Sequence, residues 1–190
     1  NFVNNNQNKA INALHFLAES EFSYRGFSNR KYQINVPGTF YVRRIKAKKD
    51  IEKSSLLSPS RFFIYPFKVL DKFGLRPYGN NFLINLYNYF YRAQLSNTKI
   101  CYTAPGGFGI PIRKYFEIPA SGSLFICEKC QGFNNLGFVN GKNCIVINPD
   151  TLLDEIHECL NNINNQKIIN AAQKLMLAKH SLRERGKQIK

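Results

Sequence analysis

A strand, a glycine loop, a short helix and a second strand follow one another between Lys99 and Cys127, and this run decides the fold class. Lys99-Ile100-Cys101-Tyr102-Thr103 reads as a short apolar strand, and Ser123-Leu124-Phe125-Ile126-Cys127 reads as another. Strands joined through a helix lie parallel, because the crossover returns the chain to the edge it started from. Between them, Ala104-Pro105-Gly106-Gly107-Phe108-Gly109 is a loop whose glycines let backbone come close to a ligand. Pro111 suits a first helical position, where its missing N–H has no intrahelical role. The helix then runs through Lys114-Tyr115-Phe116-Glu117-Ile118-Pro119-Ala120 and turns at Gly122. Pro119 removes the hydrogen bond to Tyr115 and should kink or end it. A strand end, a glycine loop and a helix start offer N–H groups and a positive dipole end to one place, a layout suited to an anion. Glu117 falls two turns into the helix, at i+3 from Lys114 and i+4 from Arg113, so a carboxylate and two cations share a face. An ionised carboxylate accepts from two donors at once, which suits sugar hydroxyls.

The same alternation runs through the rest of the chain. Tyr32–Val36 alternates and meets Pro37-Gly38, a strand and then a turn. Tyr41–Lys53 is a basic helix, Phe62–Tyr65 a short strand stopped by Pro66, and Asn81–Gln94 a helix with Leu83, Leu86, Tyr87 and Phe90 on one side. Asn143–Ile147 is an apolar strand. Asn148 and Pro149 then cap a helix built on Leu152, Ile156 and Leu160, and one last helix uses Ile168, Ala172, Leu175 and Leu182. Rough helical spacing also covers Asn8–Ser20. The pattern predicts an α/β fold: a Rossmann-like, doubly wound parallel sheet, with strands near 32–36, 99–103, 123–127 and 143–147 as neighbours. Residues 1–31 read as a connecting segment and 32–190 as the folded domain. Ligands of such sheets bind beyond the carboxyl ends of strands, where the glycine loop and the Gly38 turn both lie.

Lys114-x-Phe116-Glu117-x4-Gly122 before an apolar strand resembles the nucleotide-sugar motif of retaining GT-B glycosyltransferases, above all the group 1-like branch that includes spore-maturation glycosyltransferases. The segment from Glu128 through Leu136-Gly137-Phe138-Val139-Asn140-Gly141-Lys142-Asn143, then Pro149-Asp150, and His180 with Arg185, resemble later parts of that family. The likeness covers about Tyr32 to the end and implies the C-terminal, donor-binding half of such an enzyme. Glu117 then takes the place of the glutamate that holds the nucleotide ribose. Gly38 and Arg43 match the first strand-loop, where a glycine admits the donor phosphates and an arginine pairs with them. The implied donor-binding set is Glu117, Lys114, Arg113, Gly106, Gly107, Phe108, Gly38 and Arg43. Many relatives carry a second glutamate where this chain has Gly109, so the sugar-side contact stays unassigned, as do the catalytic residues. The resemblance implies a nucleotide-sugar partner, transfer with retention, and a glycan or other acceptor bound through a missing N-terminal domain. The chain opens on Asn1, reads as a fragment, and is expected to be inactive alone.

Charge and cysteines bound the alternatives. Lys and Arg number 27 against 12 Asp and Glu, a net +15 that favours anionic partners such as nucleic acid, acidic lipid or phosphorylated substrates. A basic nucleic-acid-binding module and a degenerate nucleotide-binding domain are therefore the competing readings, although no specific nucleic-acid signature is present. Arg44, Lys46, Lys48 and Lys49 fit a solvated helix face as well as a ligand site. Five cysteines without framework spacing fit a reducing compartment. No stretch is long and apolar enough to span a bilayer. The expected location is cytoplasmic, with peripheral contact at an acidic inner membrane face. Cys127-x2-Cys130 lacks two further ligands at zinc spacing, so no metal is expected and no cofactor beyond the donor. His15 and His157 read as surface or core residues and His180 as structural. No triad or paired carboxylates support hydrolysis.

Overall fold

The computed structural model describes residues 15–38, 42–59, 69, 72–73 and 81–189. Its strands are β1 (Tyr32–Asn35), β2 (Thr98–Thr103), β3 (Leu124–Cys127) and β4 (Ile145–Val146). Its helices are α1 (Val42–Lys53), α2 (Asn81–Ser96), α3 (Lys114–Ala120), α4 (Leu152–Asn161), α5 (Asn165–Leu175) and α6 (Leu182–Ile189). The strands form one parallel sheet in the order β1-β2-β3-β4, with Ile34 opposite Ile100, Tyr102 opposite Ile126 and Cys127 opposite Val146. The four expected neighbours are thus neighbours. The strand expected at Phe62–Tyr65, and residues 8–14 of the helix expected at Asn8–Ser20, lie outside the described residues.

Side chains of a strand alternate between faces, and here both faces are covered. Ile34, Ile100, Tyr102, Leu124 and Ile126 pack with Ala47 and Ile51 of α1 and Ile156 of α4. Cys101, Phe125 and Cys127 pack on the other side with Tyr115, Phe116 and Ile118 of α3 and with Met176. The interior strand β3 is accordingly apolar and buried at every position.

Three local expectations are corrected. Residues 15–18 are not helical and only a single 3-10 turn, Glu19–Glu21, follows: Leu17 bridges the chain near Ser181, donating its N–H to the His180 carbonyl and accepting from Leu182. The last helix is two, α5 and α6, separated by a wide π-type turn at Met176–His180 and a break at Ser181. Helix α3 starts at Lys114, so Pro111 precedes it by three residues and Glu117 sits in its first turn, not its second. Pro119 is its penultimate residue, and the helix ends at Ala120 as the proline requires.

Residues 15–31 pack on the domain through Arg30, an arginine buried at the amino edge of the sheet. Its guanidinium donates to the carbonyls of Arg25, Leu95, Thr98 and Ser121 and to the Ser123 hydroxyl. Burial pushes its pKa down to about 10, and the carbonyls supply the hydrogen bonds that water would otherwise give.

Candidate functional site

Parallel strands send the segments after β1, β2 and β3 to one edge, so residues far apart in sequence meet there. Gly38, after β1, has φ +90°. A Cβ at that position would lie 2.5 Å from Cε of Lys114, so the missing side chain is what lets Lys114 pass. Arg44 holds the turn by donating from Nη1 to the Pro37 carbonyl at 3.0 Å. It is 1% exposed, which corrects the solvated-face reading for this residue. Lys46 and Lys48 do pair on the surface of α1, with Asp150 and Glu52.

Lys114 leads to a cluster around Glu117, whose side chain is only 9% exposed. Lys114 Nζ donates to Glu117 Oε2 at 2.5 Å and lies 4.4 Å from the centroid of the Tyr91 ring. Arg113 Nε donates to Oε1 at 2.5 Å, and its Nη2 reaches Glu21 at 2.7 Å. The Tyr91 hydroxyl donates to Oε2 at 3.1 Å. Burial pushes the Glu117 carboxyl up, but the Lys114 and Arg113 charges and hydrogen bonds outweigh it and hold the group below its ordinary value. Burial, followed by the Glu117 charge, pushes the Tyr91 phenol far up, so it stays a donor. A carboxylate offers about four acceptor positions. Three are filled, and the fourth, on Oε1, is the one a ligand hydroxyl can take.

The glycine loop closes on itself: the Gly106 N–H donates to the Ile110 carbonyl at 3.0 Å, and the Gly109 N–H to the Gly106 carbonyl at 3.2 Å. Gly106 is a packing glycine, since a Cβ there would meet Ile112 at 2.9 Å. Gly107 faces open space. Phe108 stands at the tip, 96% exposed, with a left-handed φ of 57° that is unusual for a bulky residue. The N–H groups of Gly107 and Phe108 have no partner among the described residues. The helix start is not the anion cradle expected from the sequence. Tyr115 and Phe116 N–H groups are spent on the Ile112 and Arg113 carbonyls. What the edge offers an anion is the Lys114 ammonium and the loop-tip N–H groups.

Arg43 does not join Lys114. It donates to Glu128 Oε2 at 2.7 Å, while Tyr102 donates to Oε1 at 2.6 Å and Tyr115 donates to the Glu128 carbonyl at 2.6 Å. Glu128 is a buried acid that the sequence reading did not single out as a site residue. Its signal was its position, the first polar residue after an apolar strand at the ligand-binding edge. The five cysteines are free and buried. Among the described residues no group of three or more His, Cys, Asp or Glu gathers at metal distance. His180 donates from Nε2 to the Leu136 carbonyl at 2.9 Å, because its Nδ1 accepts from Arg185 at 2.7 Å. It holds the loop before β4 in place. No described helix is long and apolar enough to cross a membrane.

A parallel sheet covered on both faces, with a glycine turn, a lysine and a buried carboxylate gathered at its carboxyl edge, defines a Rossmann-like α/β domain. A family model described as glycosyl transferase-like matches residues 39–190, and the chain belongs to that family. Glycosyl transfer, with a sugar donor and an acceptor as substrates, is the general function this membership supports. No curated protein and no solved structure matches the chain.

Proposed function

We propose that the chain is the donor-binding half of a GT-B glycosyltransferase and takes a nucleotide-activated sugar at the carboxyl edge. One observation carries this reading: Gly38 and Lys114–Glu117, matched to separate parts of the donor site, converge so closely that only glycine fits beside Lys114. In this reading the open position on Glu117 Oε1 accepts from a ribose hydroxyl. Lys114 and the Gly107 and Phe108 N–H groups face the diphosphate, where negative charge grows as the sugar departs. Arg113 orients Glu117. Arg43 keeps an exposed guanidinium beside the edge and reaches phosphate by leaving Glu128. Retention at the anomeric carbon and an acceptor held by a further domain follow from the resemblance, as does inactivity of this chain alone. The net charge of +15 fits peripheral contact with an acidic membrane face. Gly109, in place of a second glutamate, favours one other reading, a nucleotide-binding domain without chemistry.

Lys114→Met tests the assignment by titration with a nucleoside diphosphate and with the nucleoside. The substitution should weaken the diphosphate about tenfold more than the nucleoside, a difference of roughly 1.4 kcal/mol. Equal losses would remove Lys114 from the phosphates. Tight, sequence-selective binding of nucleic acid would overturn the whole reading.

A further inference from the structure

Arg113, the partner of Glu117, is itself held by a residue from outside the family match. The match covers residues 39–190, while Glu21 belongs to the segment before it. That segment crosses α3: Glu21 meets Arg113 at the start of the helix, and the Ser23 N–H donates to the Ala120 carbonyl at its end, at 3.1 Å. Leu17 anchors the segment on one side of this crossing, through the His180 carbonyl, and Arg30 on the other, through the Thr98 carbonyl. Glu21 closes the 3-10 turn Glu19–Glu21, and its Oε2 accepts from the Ala18 N–H at 2.8 Å, as a glutamate at the third position of a turn can. One carboxylate oxygen is thus tied to the segment's own backbone. The other, Oε1, accepts from Arg113 Nη2 at 2.7 Å, and the side chain is only 9% exposed.

A guanidinium divides its donors by geometry. Its Nε–H and one Nη2–H lie on the same edge of the plane and fit the two oxygens of a single carboxylate. Here that edge is split between two carboxylates, with Nε on Glu117 Oε1 at 2.5 Å and Nη2 on Glu21. Without Glu21, the nearest carboxylate left to Nη2 is Glu117, and the fork closes on it. Arg113 is 42% exposed and lines a groove of about 720 Å³ together with Glu21, Tyr91 and Glu117, so packing leaves it room to turn. A closed fork adds a second Arg113 donor to those of Lys114 and Tyr91. The about four acceptor positions of the Glu117 carboxylate are then used up.

We propose that Glu21 is a positioning residue of the donor site: by holding Arg113 Nη2 it keeps one acceptor position on Glu117 open for the ligand, an inference that rests on the donor reading. The test is calorimetric titration of the full chain with a nucleoside diphosphate and with its 2′,3′-dideoxy form. Glu21→Gln keeps an oxygen for the Ala18 N–H and turns its amide N–H groups towards Arg113, which frees Nη2. The ribose ligand should then lose about fivefold more affinity than the dideoxy ligand, a smaller effect than removing the Glu117 charge, because that carboxylate is still present. Lysine has no fork, so in an Arg113→Lys background the same substitution should separate the two ligands by less than about twofold. Arg92→Ala breaks the 3.0 Å bond to the Ser20 hydroxyl and loosens the segment one residue from Glu21. It should leave the ratio of the two affinities as in the parent. Equal losses for the two ligands in Glu21→Gln, or a changed ratio in Arg92→Ala, would make Glu21 a brace for the segment and overturn the proposal alone. A parent chain that binds neither ligand overturns the donor reading and the proposal with it.

Discussion

Gly38→Ala is a sharp perturbation, because it strikes backbone and site through one added carbon. At φ +90° an alanine is strained by roughly 1–2 kcal/mol. The new Cβ also lands 2.5 Å from Lys114 Cε, so the flexible end of the lysine must move. Moving it breaks the Nζ bond to Glu117 and the contact over Tyr91. A hydrogen bond to a charged group contributes about 1.5–3 kcal/mol. Arg113 and Tyr91 still satisfy the carboxylate, so the smaller end, about 1.5 kcal/mol, applies. The expected destabilisation is therefore about 3 kcal/mol, roughly half of it routed through Lys114. Urea unfolding of Gly38→Ala, Lys114→Ala and the double variant separates the halves. In the Lys114→Ala background the glycine substitution should retain only the backbone strain, leaving a coupling of about 1.5 kcal/mol. Strictly additive losses would mean that the two residues do not meet as described.

Other outcomes follow from the same geometry. Gly122→Ala, at φ +71°, places a Cβ 2.6 Å from the Ser23 carbonyl and from Arg30, and should cost more than about 2 kcal/mol in denaturant unfolding. Gly107→Ala, with open space around it, should stay within about 0.5 kcal/mol of the parent in the same assay. Burial lowers the His180 pKa to about 4, with the Leu136 bond opposing, so the unfolded chain protonates first as pH falls from about 6.5 towards that value. Stability should drop by about 2 kcal/mol across that window, and His180→Gln should flatten this part of the profile measured by chemical unfolding.

Much of this fold was legible because periodicity of two and of 3.6 is written directly in the residues. Ile100, Tyr102, Leu124 and Ile126 on one face and Cys101, Phe125 and Cys127 on the other are plain alternation, and parallel pairing follows from the crossover helix. Asn148 capping the turn into α4, through its bond to the Asp150 N–H, was equally visible. What sequence could not supply was the partner of each charge. Arg43 and Arg44 are adjacent in a basic run, yet Arg43 reaches Glu128 across the sheet edge and Arg44 is buried against Pro37. Arg30 carries no local signature, since its partners are carbonyls and a hydroxyl brought together only by folding, and Glu128 shows its place after an apolar strand but not its partners, Arg43 and Tyr102. The start of α3 was placed early because Pro111 permits a helix there, whereas the Ile112 and Arg113 carbonyls show where the first turn closes.

The central claim is that Glu117 holds a nucleotide ribose, and calorimetry on four combinations tests it most directly. The parent chain and Glu117→Gln are each titrated with a nucleoside diphosphate and with its 2′,3′-dideoxy form. Loosening of Arg113 and Lys114 by the substitution affects both ligands and cancels in the cycle. One acceptor position on Oε1 corresponds to one charge-assisted hydrogen bond, so the ribose ligand should lose about tenfold more affinity than the dideoxy ligand, roughly 1.4 kcal/mol of coupling. Equal losses for the two ligands would place the carboxylate away from the sugar and contradict the account at its centre.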